Sequence, residues 1–280
     1  MSNASTAPYR RDWVMRAVGV SHRHFGKLVS SYGYRLLTKI LSDDDLHFLN
    51  WGYEEDPPMG IALDAADEID RYSIQLYHRT ADQTDLAGKD VLEVSCGHGG
   101  AASYITRYMN PASYTGLDLN PAGIEYCKTH HRLPNLSFVH GDAEHLPFPD
   151  ASFDAVINVE AAHLYPHFTQ FLAEVERVLR PNGHFLYADL RGGTGNDLQK
   201  WETDLGNWSL TELSRRPIET EVLRGLEKNT VRHTELIAKH MPRPFRGVAR
   251  DIAGVQGARL YRQVESGDIF YRIYDFVKAP

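Results

Sequence analysis

Cysteine is nearly absent: Cys96 and Cys127 are the only two in 280 residues. That excludes a disulfide framework and suits a reducing compartment. With no CxxC pair and no HExxH, zinc ligation lacks a pattern, and the acidic run Glu54-Glu55-Asp56 reads as a solvated turn, so no metal is expected. Long apolar runs are missing too. None approaches the roughly 20 residues that cross a bilayer, and no signal-peptide core opens the chain. Positive charge is not in excess: 30 Lys and Arg face 37 Asp and Glu, for a formal net charge of −7. Without a dense basic stripe, a nucleic-acid partner is not expected. The expectation is a soluble, cytoplasmic chain handling a small or apolar molecule, with length for one catalytic unit and a sizeable core. Oligomeric state is not legible.

What is present starts at Val91-Leu92-Glu93-Val94-Ser95-Cys96-Gly97-His98-Gly99-Gly100, an apolar strand with an internal acid running into a glycine turn. A nearly continuous apolar strand belongs in a parallel sheet covered on both faces. Gly97 and Gly99 let backbone N–H groups approach a ligand. A second strand, 114–118, ends in Asp118, placed to accept hydrogen bonds from two ribose hydroxyls, with Leu119 and Asn120 following. A third, 136–139, ends in Gly141-Asp142-Ala143, where Asp142 suits an adenine amino group and the Ala143 N–H a ring nitrogen. Strands over 155–159 and 184–189, with a helix from Phe168 to Leu179, continue the alternation that makes a parallel sheet. Up to Asp118 the pattern suits any adenosine cofactor; the third strand and the segment Leu146-Pro147-Phe148-Pro149-Asp150 to Val156 are not required by a dehydrogenase.

On these segments the chain resembles the class I S-adenosylmethionine (SAM)-dependent methyltransferases. That resemblance implies an α/β, Rossmann-like seven-stranded sheet, mostly parallel, whose last strand enters antiparallel between the fifth and sixth. It implies SAM as cofactor, held by Glu93 near its amino group and by Ser95, Gly97, His98, Gly99, Asp118, Leu119, Asn120, Asp142, Ala143, Asn158 and Glu160. Four further segments, Asn50 to Met59, Leu76 to Thr80, Leu92 to Gly100 and Gly254 to Gly257, look like the mycobacterial phthiotriol/phenolphthiotriol dimycocerosate methyltransferases and related fatty-acid O-methyltransferases. The family implies a lipid hydroxyl or a fatty carboxyl as acceptor. Ala162-His163-Leu164 departs from the Ser-His-Cys expected there.

An alkanol is too weakly acidic to ionise at pH 7, so a hydroxyl acceptor benefits from a general base. His163, just past the fourth strand, is the candidate, with Asp189 at the end of the fifth to orient its imidazole. A carboxylate acceptor needs orientation only, from His163, Tyr53 or Asn158. Trp51, Tyr53, Tyr165 and Trp208 are candidate substrate-lining residues, lying outside the sheet and able to wall a tunnel for an acyl chain. Four segments are expected: an N-terminal helical arm and lid over 1–80, the cofactor-binding core over 81–191, a helical substrate cap over 192–250 and a closing β-hairpin over 251–280. Arginines in the arm (Arg10, Arg11, Arg16, Arg23, Arg35) leave room for peripheral membrane contact. The function expected is O-methylation of a lipid or polyketide-like hydroxyl; the alternatives are fatty-acid carboxyl methylation, carbon methylation, and SAM binding without catalysis.

Overall fold

The computed structural model describes residues 46–192 and 195–280, the side chains of 195 and 196 excepted. The lid helices expected over 13–40 lie outside the described residues. Within the helical arm expected over 1–80, the described helix is α1 (Arg71–Ala81), which follows a 3-10 turn at Glu68–Asp70.

The central strand β1 (Asp90–Val94) is buried from its second residue onward. It pairs in parallel with β2 (Ser113–Asp118) on one side and with β4 (Phe153–Val159) on the other. β3 (Leu136–His140) extends the sheet beyond β2, and β5 (Leu179–Gly192) beyond β4. The Pro181-Asn182-Gly183 interruption falls at the start of β5, where pairing jumps from Phe153–Leu179 to Ala155–His184. β7 (Ile269–Val277) enters antiparallel between β5 and β6 (Thr211–Pro217), giving the seven-stranded order β3-β2-β1-β4-β5-β7-β6.

Both faces are covered, as alternation along β1 requires: Val91 joins one core cluster, Leu92 the other. The first cluster includes residues of α1, α2 (Gly100–Tyr108), α3 (Pro121–His130), α6 (Glu219–His240) and α8 (Arg259–Glu265); the second includes residues of α4 (Phe168–Val178) and α5 (Gly195–Gly206). α7 (Arg246–Ile252) packs beside α6. The stretch 46–58 is clamped between α1 and α6: Tyr53 N–H donates to Tyr72 O and Glu54 N–H to Glu221 O, both at 2.9 Å. Its Gly52 abuts Gly225 so closely that a Cβ on Gly225 would stand 2.1 Å from the Tyr53 nitrogen.

Two expectations are corrected. The stretch 192–250 is not helical throughout, because β6 interrupts it between α5 and α6. The C-terminal hairpin is a helix and one strand: residues 259–265 form α8. Tyr261 and Val264 are both buried, and residues three apart share a helix face, whereas on a strand they face opposite sides.

Candidate active site

A cavity opens at the carboxyl ends of β1 to β4, where an open α/β sheet offers backbone groups to a ligand. Ser95, Gly97, His98, Asp118, Leu119, Asn120, Asp142, Ala143, Glu160 and Tyr165 all line it. The left-handed backbone at Gly97 (φ 57°) and Gly99 (φ 78°) makes the turn, and a Cβ on Gly99 would meet Cys127, His131 and Phe138 at 2.9–3.0 Å. Gly99 is therefore a packing requirement, and Gly97 the one that lines the cavity. Asp118 receives the Gly97 N–H at 2.9 Å on Oδ2 and the Asn120 N–H at 2.8 Å on Oδ1. One donor on each oxygen leaves acceptor capacity for two hydroxyls. Burial raises the Asp118 pKa, and these backbone N–H groups oppose the rise. Asn120 caps α3, its Oδ1 accepting the Ala122 N–H, with Pro121 opening the helix.

Several expected residues lie behind this wall. Glu93 is fully buried and outside the lining; its Oε2 accepts the Tyr114 O–H at 3.0 Å, its Oε1 has no hydrogen-bond partner, and burial pushes its pKa up to about 7. Asn158 is equally buried, its Nδ2 donating to Val94 O at 2.9 Å and to the Tyr165 hydroxyl at 3.0 Å. It ties β4 to β1 beneath the cavity. Tyr165 also shares a 2.6 Å hydrogen bond with Ser95 Oγ, which fixes the side chain at the far rim. His98 reaches the lining but also contacts Leu46 O through Nδ1 at 2.8 Å.

The substrate-lining expectation needs correction at three positions, none of which borders either of the cavities described here. Trp51 is in the core with its indole N–H on Ile252 O at 2.9 Å. Tyr53 is fully buried, its hydroxyl between Glu55 and Arg216. Trp208 packs edge-on against Phe185 and Phe276. An aromatic at an apolar interface meets its burial requirement in the core as readily as in a tunnel.

His163 and Asp189 come together, but not in the first cavity. Asp189 is fully buried at the end of β5; its Oδ2 accepts the His163 N–H at 2.8 Å, and Oδ1 lies 2.7 Å from His163 Nδ1. The Arg191 guanidinium, 2.7 Å away, and His163 itself hold the Asp189 carboxyl far below the usual range despite its burial. An ionised carboxylate only accepts, so the His163 Nδ1 carries a proton toward Asp189, leaving Nε2 on the other edge of the ring. His163, with Asp189 buried behind it, borders a second cavity of about 640 Å³, lined also by Phe168, Trp201, Arg191, Asp197, Lys200 and Asp204, which shares Tyr165 and Pro166 with the first.

Residues 47–50 and Tyr77 line the first cavity without having been singled out for it. The aromatic run 46–53, bounded by acids and prolines, carries the signal that it must bury somewhere, though not where. Arg191 was also missed. Its guanidinium sits 4.5 Å from the Trp201 ring centroid and 5.2 Å from that of Phe168; Asp189 and Arg191, two apart on a strand, share one face, which is the signal.

Residues 92–187 match the family model described as a methyltransferase domain. The chain is 57% identical over 252 residues to the phthiotriol/phenolphthiotriol dimycocerosates methyltransferase of Mycobacterium tuberculosis (strain ATCC 25177 / H37Ra), covering 90% of this chain and 93% of that one. It is 52% identical over 245 residues to the fatty-acid O-methyltransferase of Mycolicibacterium smegmatis (strain ATCC 700084 / mc(2)155), covering 88% of each. Among solved structures, a geranyl diphosphate methyltransferase in complex with SAM superposes with a TM-score of 0.63 at 15% identity, over 84% of this chain and 100% of that one, a likeness of fold. The chain therefore belongs to the SAM-dependent methyltransferases, in the family of the phthiotriol/phenolphthiotriol dimycocerosates methyltransferases and the fatty-acid O-methyltransferase.

Proposed function

We propose that the protein transfers the methyl group of SAM to a hydroxyl of a hydrophobic lipid. The observation that carries this reading is the His163–Asp189 pair beside a cavity walled by Phe168 and Trp201 and adjoining the first cavity at Tyr165. Bound SAM supplies a methyl on a positively charged sulfur, already activated, so alignment is the main demand on the protein. The first cavity fits that cofactor: Asp118 retains acceptor capacity for the ribose hydroxyls, and Asp142 with Ala143 would face the adenine. Leu119, Asn120 and Gly97 complete that wall.

In this reading the acceptor occupies the second cavity, and α5 forms part of its wall through Asp197, Lys200, Trp201 and Asp204. His163 Nε2 takes the hydroxyl proton as the oxygen attacks, and Asp189, already ionised, stabilises the resulting imidazolium. The net charge of −7 disfavours an acidic surface partner, and the second cavity sets the rings of Phe168 and Trp201 among the charged groups of Arg191, Asp197, Lys200 and Asp204. A second reading, methyl-ester formation on a fatty carboxylate, is favoured by Arg191, a guanidinium on the same cavity able to receive a carboxylate. Among the described residues no helix is long and apolar enough to cross a membrane.

The test is mass spectrometry after incubation with methyl-labelled SAM and a panel of long-chain diols, polyketide alcohols and free fatty acids. An ether product is expected. Label found only in fatty methyl esters would establish the second reading, and donor binding without any labelled product would reject both.

A further inference from the structure

We propose that Glu160, rather than Glu93, is the counter-ion for the cationic amino-acid end of the donor; this rests on the donor reading of the first cavity. Glu160 follows β4, on the left-handed side of backbone space (φ 50°), and its carboxyl is part of the lining. Oε2 accepts the Trp51 N–H at 2.9 Å, and Oε1 accepts the Tyr271 O–H at 2.6 Å, with the Trp51 N–H shared at 3.1 Å. These donors are neutral. Among the described residues no Lys, Arg or His forms an ion pair with it, and it is half-buried against the cavity, where a ligand's cation could reach it. Glu93 also lacks a cation, and its Oε1 has no hydrogen-bond partner, but it is shut behind Tyr77 and Tyr114 and lies outside the lining.

The order of strand ends agrees. Asp142, Asp118, the glycine turn and Glu160 follow β3, β2, β1 and β4, neighbours in that order in the sheet. Three strand spacings of about 4.8 Å separate the outer two, about 14 Å, the length of an extended nucleoside carrying an amino acid. With the adenosine at the Asp142 and Asp118 end, the amino-acid end falls beside Glu160.

The groups facing Glu160 define how it responds to pH. They are the Trp51 N–H from 46–58, Tyr271 from β7, Tyr77 from α1 and Asp189 from β5. Burial is the main cause that raises the Glu160 pKa to about 8; Asp189 adds to it, and Tyr271 and Trp51 oppose it. With its pKa raised to about 8, the Glu160 carboxyl holds a proton near neutral pH that a bound ammonium would displace.

Calorimetry on the full chain tests this with S-adenosylhomocysteine, which carries the ammonium, and methylthioadenosine, which lacks the amino acid. Glu160→Gln is expected to weaken S-adenosylhomocysteine about tenfold while leaving methylthioadenosine unchanged, and Glu93→Gln to change neither more than about twofold. Repeating the titration at pH 7 in two buffers of different ionisation enthalpy should show proton release in the wild type and none in Glu160→Gln. Undiminished S-adenosylhomocysteine binding in Glu160→Gln, an equal loss of both ligands, or a selective loss in Glu93→Gln would each overturn the assignment. Wild-type protein that binds neither ligand would refute the donor reading itself.

Discussion

A carboxyl group shut away from water and from cations keeps its proton, and Glu93 is such a group under the active site. Burial raises its pKa from an ordinary 4.5 to about 7, so its contribution to stability is complete below pH 4.5 and disappears as the pH climbs through 7. The shift corresponds to about 3 kcal/mol. Denaturant titrations at pH 5 and pH 8 should show the wild type losing that much more stability than Glu93→Gln; equal losses would remove Glu93 from the linkage. Asp189 works in the opposite sense, its pKa lying far below the usual range beside Arg191, so its contribution holds above that range and is lost in strong acid. His163→Ala is expected to lower kcat on a hydroxyl acceptor about a hundredfold, with donor affinity unchanged. An unaltered rate across pH would reject His163 as the base. Asp118, Asp142 and Glu160 could be read from sequence because an acid just past a β-strand of an open sheet has few places to go but the ligand crevice. Trp51 and Tyr53 could not, since aromaticity signals burial without saying in which layer.

Between elements, the contact that matters most is the backbone crossing of 46–58 over α6. Gly52 and Gly225 have no room for side chains there, and Trp51, one residue earlier, supplies the N–H that Glu160 accepts. Gly225→Ala should therefore cost about 3 kcal/mol or more and weaken donor binding with it, checked by thermal unfolding and calorimetry of the same variant; a stable variant with native affinity would contradict the clamp. The element most poorly announced by the sequence is β6. All seven of its residues, TELSRRP, are exposed, so it has no buried face to impress a period of two. It is an edge strand defined by pairing with β7, and its arginines and terminal proline are the features that keep such edges from recruiting other strands. The helix α8 was missed differently: Tyr261 and Val264 are strand-favouring in type, but with Leu260 they are spaced for a helix, and spacing prevails.

At the scale of the molecule, the parallel core was legible because strands buried on both faces write themselves as apolar runs, while the cap was not, because its helices and edge strand answer to contacts distant in sequence. The separation into two cavities yields a division of labour: Phe168→Ala should raise KM for a lipid acceptor about tenfold, leaving the Kd for S-adenosylhomocysteine as it was. A parallel loss of donor affinity would place the acceptor elsewhere. Tyr165 stands in both linings, hydrogen-bonded to Ser95 on the donor side, with its neighbour Pro166 likewise shared. In the proposed reading this shared wall puts donor and acceptor in contact with the same side chain. Steady-state kinetics should accordingly be sequential, with the spent cofactor leaving last and acting as a competitive product inhibitor against fresh SAM.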